Sequence, residues 1–161
     1  MNVTAIGAHK NDSRFECWQL DKSPFTASVV TGTVGNAVAS LGDVDQISIL
    51  VGSSGFEGGF HVAPRNQWAL VTSGAALITL PDEDESQGFY LSAGWQRGLL
   101  FAADTSDVSR RGHGSRYLSD VILFQIPTKN GGIPDHEILH LGPCSANETA
   151  APVAKDSGDV S

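Results

Sequence analysis

From Phe15 to Ile126 the chain is a succession of short apolar or alternating runs: FECWQL, TASVVTGTV, QISILVG, NQWALVTSGAALITL, GFYLSAG, GLLFAAD and SRYLSDVILFQI. Clusters of Gly, Pro, Asp and Ser separate them. Runs this short, punctuated this often, have the period and spacing of β-strands joined by tight turns. No long segment repeats apolar residues at i, i+3, i+4 and i+7, so βαβ units have no helices to build from. An antiparallel sandwich or barrel is the architecture that remains.

At 161 residues the chain has one domain's length and can bury a real core. A formal net charge of −8, without a basic cluster, opposes binding to nucleic acid or to an anionic membrane surface. Arg110, Arg111 and Arg116 form a basic patch too small to change that. No apolar run reaches the ~20 residues of a spanning helix. The N-terminus has no charged start or apolar core of an export signal, so the expected location is the cytoplasm. There the sequons at Asn2, Asn11 and Asn147 stay bare, and Cys17 and Cys144 are expected as two free thiols.

Residues 136–140 read HEILH, the H-E-x-x-H pattern of zinc peptidases. That chemistry needs both imidazoles on one long helix and a third ligand downstream. Here Pro134 and Gly142-Pro143 confine the segment, and Glu148 is the one ligand type beyond Cys144 and before the final acidic residues that invites notice. A short terminal segment packing Ile138 and Leu139, with the imidazoles near solvent, is the expectation. The acidic run PDEDES, from Pro81 to Ser86, reads as an exposed hairpin connection. The expected organisation is an N-terminal arm over 1–14, a barrel over 15–143 and a disordered tail over 144–161.

The middle of the chain carries the chemistry. In GFEGGFHVAPRNQWALVTSG, alternation sends His61, Ala63, Gln67, Ala69 and Val71 to one side, with Trp68 and Leu70 on the other. Two polar side chains among small apolar ones describe the lining of a ligand cavity. Downstream, LLFAADTSDVSRRGHGSRYL brings His113 after a Gly/Ser/Arg loop. Gly55, His61, Gln67 and Gly74 stand at G-x5-H, H-x5-Q and Q-x6-G spacings. This combination resembles the cupin superfamily, and specifically small single-domain cupins found with fungal secondary-metabolite pathways, over Phe15 to Pro127. The resemblance implies a double-stranded β-helix (jelly-roll) barrel, commonly a homodimer, with a ligand cavity inside.

Ala63 stands where the family has its second metal-binding histidine, and Gln67 where it has a glutamate. Val108, Arg110 and Tyr117 also depart from the family's second motif. If a metal were held, His61, His113 and Gln67 would hold it, but two imidazoles and an amide bind divalent ions weakly. The expectation is therefore no cofactor and organic acid–base chemistry by His61, Gln67 and His113. Arg65, Asp104, Thr105, Trp68 and Tyr117 are candidate substrate contacts, with Trp18 and Trp95 as core or interface aromatics. The implied function is an isomerase or cyclase acting on a polyketide- or terpenoid-like small molecule. A metal-dependent oxygenase and a non-catalytic metabolite binder are the alternatives.

Overall fold

The computed structural model of the chain describes residues 1–20, 25–94 and 97–149. Trp95 and the final residues 150–161 lie outside the described set. The strands are β1 (Asn2–His9), β2 (Asp12–Leu20), β3 (Thr26–Ala27), β4 (Ala37–Val38), β5 (Ser48–Gly52), β6 (Glu57–His61) and β7 (Gln67–Ser73). They continue as β8 (Ala75–Thr79), β9 (Phe89–Ser92), β10 (Leu99–Ala102), β11 (His113–Tyr117), β12 (Val121–Pro127) and β13 (His136–Leu141).

These strands form a seven-stranded sheet ordered β13-β2-β1-β10-β7-β12-β5 and a four-stranded sheet ordered β6-β11-β8-β9. The all-β expectation holds, and the two sheets pack together as a sandwich with no closed barrel. Pairing is antiparallel except between β1 and β10. The expected strand in TASVVTGTV shrinks to the two-residue β3, paired with β4 and exposed. Residues 1–14, expected as an arm, instead supply β1 and the start of β2, with β1 between β2 and β10 inside the sheet.

Alternation along the seven-stranded sheet divides its side chains between two cores. Ile6, Phe15, Ala69, Val71 and Leu100 face the four-stranded sheet and meet Ala76, Ile78, Leu91 and Tyr117. Val3, Ala5, Trp18, Leu20, Trp68, Phe101 and Ala103 pack together on the opposite face, with Leu41 against them. There Trp68 and Phe101 meet edge to face at 4.7 Å, and Trp68 Nε1 donates to Leu41 O at 3.2 Å. The acidic run lies exposed between the paired strands β8 and β9; Arg111 binds Asp82 and Arg116 binds Glu85 across it.

The C-terminal segment corrects two expectations. Cys17 and Cys144 are not free thiols; a disulfide joins them, with Cα atoms 4.6 Å apart. The residues after Pro143 are fastened down as far as Thr149, since Cys144 N donates to Thr4 Oγ1 and Ser145 N to Glu148 Oε2. Those Ser145 bonds, with His140 beside them, hold the Glu148 carboxyl down at about 2. HEILH is the edge strand β13, so its histidines share no helix.

Candidate functional site

A cavity of about 770 Å³ opens between the sheets, bounded by β5, β6, β7, β11 and β12. Its walls include Leu50, Ala69, Ile78, Leu91, Leu100 and Leu123. The polar groups in it are the side chains of His61, His113, Gln67, Gln125 and Tyr117 with a few serines. Among the described residues no Asp, Glu, Lys or Arg lines it. Volume and lining are those of a small-molecule site.

His113 and His61 face each other directly across the β11–β6 register, with ring centroids 4.8 Å apart. Gly112 makes the approach possible: its φ is +69°, and a Cβ there would sit 1.9 Å from His61 O. Only glycine tolerates both conditions. Each ring has one nitrogen engaged. His61 Nδ1 donates to Gly59 O at 3.1 Å, and His113 Nδ1 donates to Asp104 Oδ2 at 2.8 Å. These acceptors hold both rings in the Nδ1–H tautomer, which leaves both Nε2 lone pairs available.

Asp104 is fully buried at the end of the β10 segment and is anchored a second time by Ser13 Oγ at 2.8 Å. Ser13 shares a hydrogen bond with Ser109, whose Oγ accepts from Gly112 N. The network runs from β2 through Asp104 to His113 and fixes the imidazole from behind. Asp104 Oδ1 is buried with no partner among the described residues. An orphaned acceptor costs about 1–3 kcal/mol, and it lies beside the histidine that gains charge on taking up the substrate's proton.

Gln67 and Gln125 reach the cavity from β7 and β12. Among the described residues no side-chain hydrogen bond engages either amide, so both can turn toward a ligand. Tyr117 stands at the far end of β11 from His113, its ring 5.0 Å from that of Phe56. Gly52 makes room for it, since a Cβ there would lie 2.1 Å from the Tyr117 ring. Burial pushes the Tyr117 phenol above its ordinary value. Polar head groups thus gather near His61 and His113, and apolar walls extend away from them.

The structure brings His61, Gln67, His113 and Tyr117 together around this cavity, and it sets four other candidates apart from it. Asp104 touches His113 rather than the cavity. Thr105 is turned to Asp107, to which its hydroxyl donates. Arg65 is exposed and faces Asp45 at 3.5 Å. Trp68 is on the opposite face of the sheet, as its alternation with Gln67 dictates. Gln125 was missed, although a glutamine amid the apolar VILFQIP, in phase with the inward Leu123, was a usable signal.

The donor set is a poor fit for a metal. A stable site wants three or four ligands including an anion, and the nearest carboxylate, Asp104, is spent on His113 Nδ1. Ala63 and Gln67 supply neither a third imidazole nor a carboxylate. No protein-family model matches the chain, and no curated protein or solved structure matches it either.

Proposed function

We propose that the cavity binds a neutral, largely apolar small molecule and moves a proton on it, as an isomerase or cyclase does. The observation that carries this reading is the Asp104–His113 pair aimed at His61 inside an uncharged cavity. An enolisable carbonyl substrate suits the lining. The Gln67 amide donates to its oxygen, and His113 Nε2 removes a proton from the adjacent carbon. Asp104 balances the charge that His113 gains. His61, exposed, takes a proton from solvent onto Nε2 and gives it up at a second carbon while His113 releases its own to solvent, so the product differs only in the position of hydrogen and double bond. Apolar walls select one folded conformer and exclude water, which is the contribution a cyclisation needs.

The fold proposed with this function is the jelly-roll of the small cupins, a refinement of the sandwich. Support comes from the two expected histidines meeting across paired strands. Cytoplasmic residence belongs to the same reading, with the Cys17 and Cys144 sulfurs then kept as thiols rather than joined. Among the described residues, no helix is long and apolar enough to cross a membrane. A homodimer is proposed through the outer face of β5 and β12. Exposed Ile49 and Val51 pair in register with Phe124 and Ile122 there, at a free sheet edge. Light scattering on Ile49→Lys tests it, with a monomer expected.

The test of function is deuterium exchange. Neutral polycyclic and terpenoid enones are incubated with the protein in D₂O, and label beside the carbonyl is followed by mass spectrometry. Label that His113→Ala abolishes supports proton transfer. Ligand binding without exchange identifies a carrier, and oxygen consumption sensitive to chelator identifies an oxygenase.

A further inference from the structure

HEILH does not make a helical zinc site, yet its second histidine stands in a cluster of ligand atoms. A register shift between Ile138 and His140 places Leu139 as an extra residue in β13. Without that bulge, His136 and His140, four residues apart, would share one face of the strand. With it they separate. His136 stacks on Trp18 at 3.6 Å, whereas His140 lies opposite Cys17. Cys17 Sγ, a His140 ring nitrogen and a Glu148 carboxylate oxygen all lie within 4.8 Å of one another. Cys144 Sγ is bonded to Cys17 Sγ and lies next to this group, though outside its 4.8 Å span. His140, Cys144 and Glu148 follow one another at four-residue steps.

We propose that this cluster is a redox-gated site for zinc(II), with Cys17, Cys144, His140 and Glu148 as its four ligands. Two thiolates, an imidazole and a carboxylate are a complete tetrahedral set, with the soft donors that favour zinc over magnesium or calcium. The surroundings already hold these groups in the manner of outer partners. His140 Nδ1 donates to Leu141 O at 2.9 Å, while its Nε2 faces Glu148 Oε1, the other donor atom offered to the metal, at 2.9 Å. Ser145 N holds the other Glu148 oxygen at 2.7 Å. Such partners orient a metal's ligands before it arrives.

The chemistry balances with a thiol reductant. Two equivalents of R–SH reduce the Cys17–Cys144 bond, leaving two cysteine thiols and one R–S–S–R. Zinc then enters between the sulfurs and His140 Nε2 and displaces the two thiol protons and the Nε2 proton that His140 shares with Glu148, while the Nδ1 proton stays in its bond to Leu141 O. Either state ties the C-terminal segment to β2 and β13. The disulfide serves in an oxidising compartment, and zinc would serve where thiols are kept reduced.

Cobalt(II), a spectroscopic stand-in for zinc, is titrated into full-length protein before and after reduction by a phosphine that is then removed anaerobically. The expected result is one equivalent bound with thiolate-to-metal charge transfer and tetrahedral absorption, in the reduced protein alone, and displaced by zinc. His140→Ala and Glu148→Gln, both at the surface, should each weaken zinc binding by at least roughly tenfold, while the circular dichroism stays that of the parent. The inference is overturned if reduced, folded protein takes up no cobalt, if the oxidised protein binds it equally, or if both variants bind as the parent does. Cys17→Ser is a secondary arm, because Cys17 is fully buried and its loss could unfold the sheet.

Discussion

Reduction of the Cys17–Cys144 bond gives a stability change that can be worked out in advance. The two residues are separated by 127 positions, so the bond closes nearly the whole described chain into one loop. In the chain-entropy treatment, a loop of that length removes about 16 cal/mol/K from the unfolded ensemble, or about 5 kcal/mol at 25 °C. For a domain of this size, 1 kcal/mol displaces Tm by about 2–4 °C. Reduction in the presence of a chelator should therefore lower Tm by about 10–20 °C. The chelator matters, because zinc bound to the freed thiols would restore the tie. The assay is thermal unfolding by circular dichroism, with a parallel thiol count to show that both sulfurs have been released. Amide exchange should show β13 opening first, since it is the edge strand that the bond secures. If both thiols are free and Tm moves by no more than a degree or two, the disulfide is not what holds the C-terminal segment, and the reasoning fails.

Three other expectations need no turnover. Asp104→Asn should scramble the His113 tautomer, because an amide can donate as well as accept; long-range ¹H–¹⁵N correlation should show Nδ1–H alone in the parent and a mixture in the variant. Trp68→Ala should cost about 3–5 kcal/mol in urea unfolding without altering ligand binding at His61, and weakened binding with little change in stability would return Trp68 to the cavity. Tyr117 should ionise above the ordinary tyrosine value of about 10. Because burial raises its folded pKa above the unfolded one, stability is unaffected below about pH 10 and falls as pH rises beyond it; ultraviolet titration of the parent against Tyr117→Phe checks this, and a Tyr117 that ionises in the ordinary range while folded contradicts it.

The parts of this molecule that follow from side-chain period were readable from sequence. Strand alternation within β7 placed Gln67 and Ala69 on the cavity side and Trp68 on the other, whereas His61 reaches the same cavity from β6 of the facing sheet, across the break at 62–66 that alternation did not foresee. The same alternation was available for Gln125. What could not be read was long-range. Nothing local to Asn2–His9 says that it pairs in parallel with Leu99–Ala102, and only that pairing makes the first residues part of the sheet. Asp104 looked like a substrate contact because Asp104-Thr105 stands ahead of His113 as the same pair does in the sequences the chain resembles. Its role behind His113 depends on Ser13, 91 residues away in sequence.

HEILH shows how a motif's meaning depends on the element that carries it. On a helix, a four-residue step stacks two imidazoles one turn apart and they can share a metal. On a flat strand the same even step also puts them on one face, though well separated. The bulge at Leu139 removes one residue from the count and sends His136 to Trp18 and His140 to Cys17. No residue type in the segment marks that bulge. A loop closed over 127 residues is likewise invisible to spacing rules that look for nearby cysteines. The ligand types were all in view in the sequence; their convergence is a property of the sheet. A metal hypothesis for this segment therefore has to rest on His140, Glu148 and the two sulfurs, and His136→Ala should leave cobalt uptake by the reduced protein unchanged.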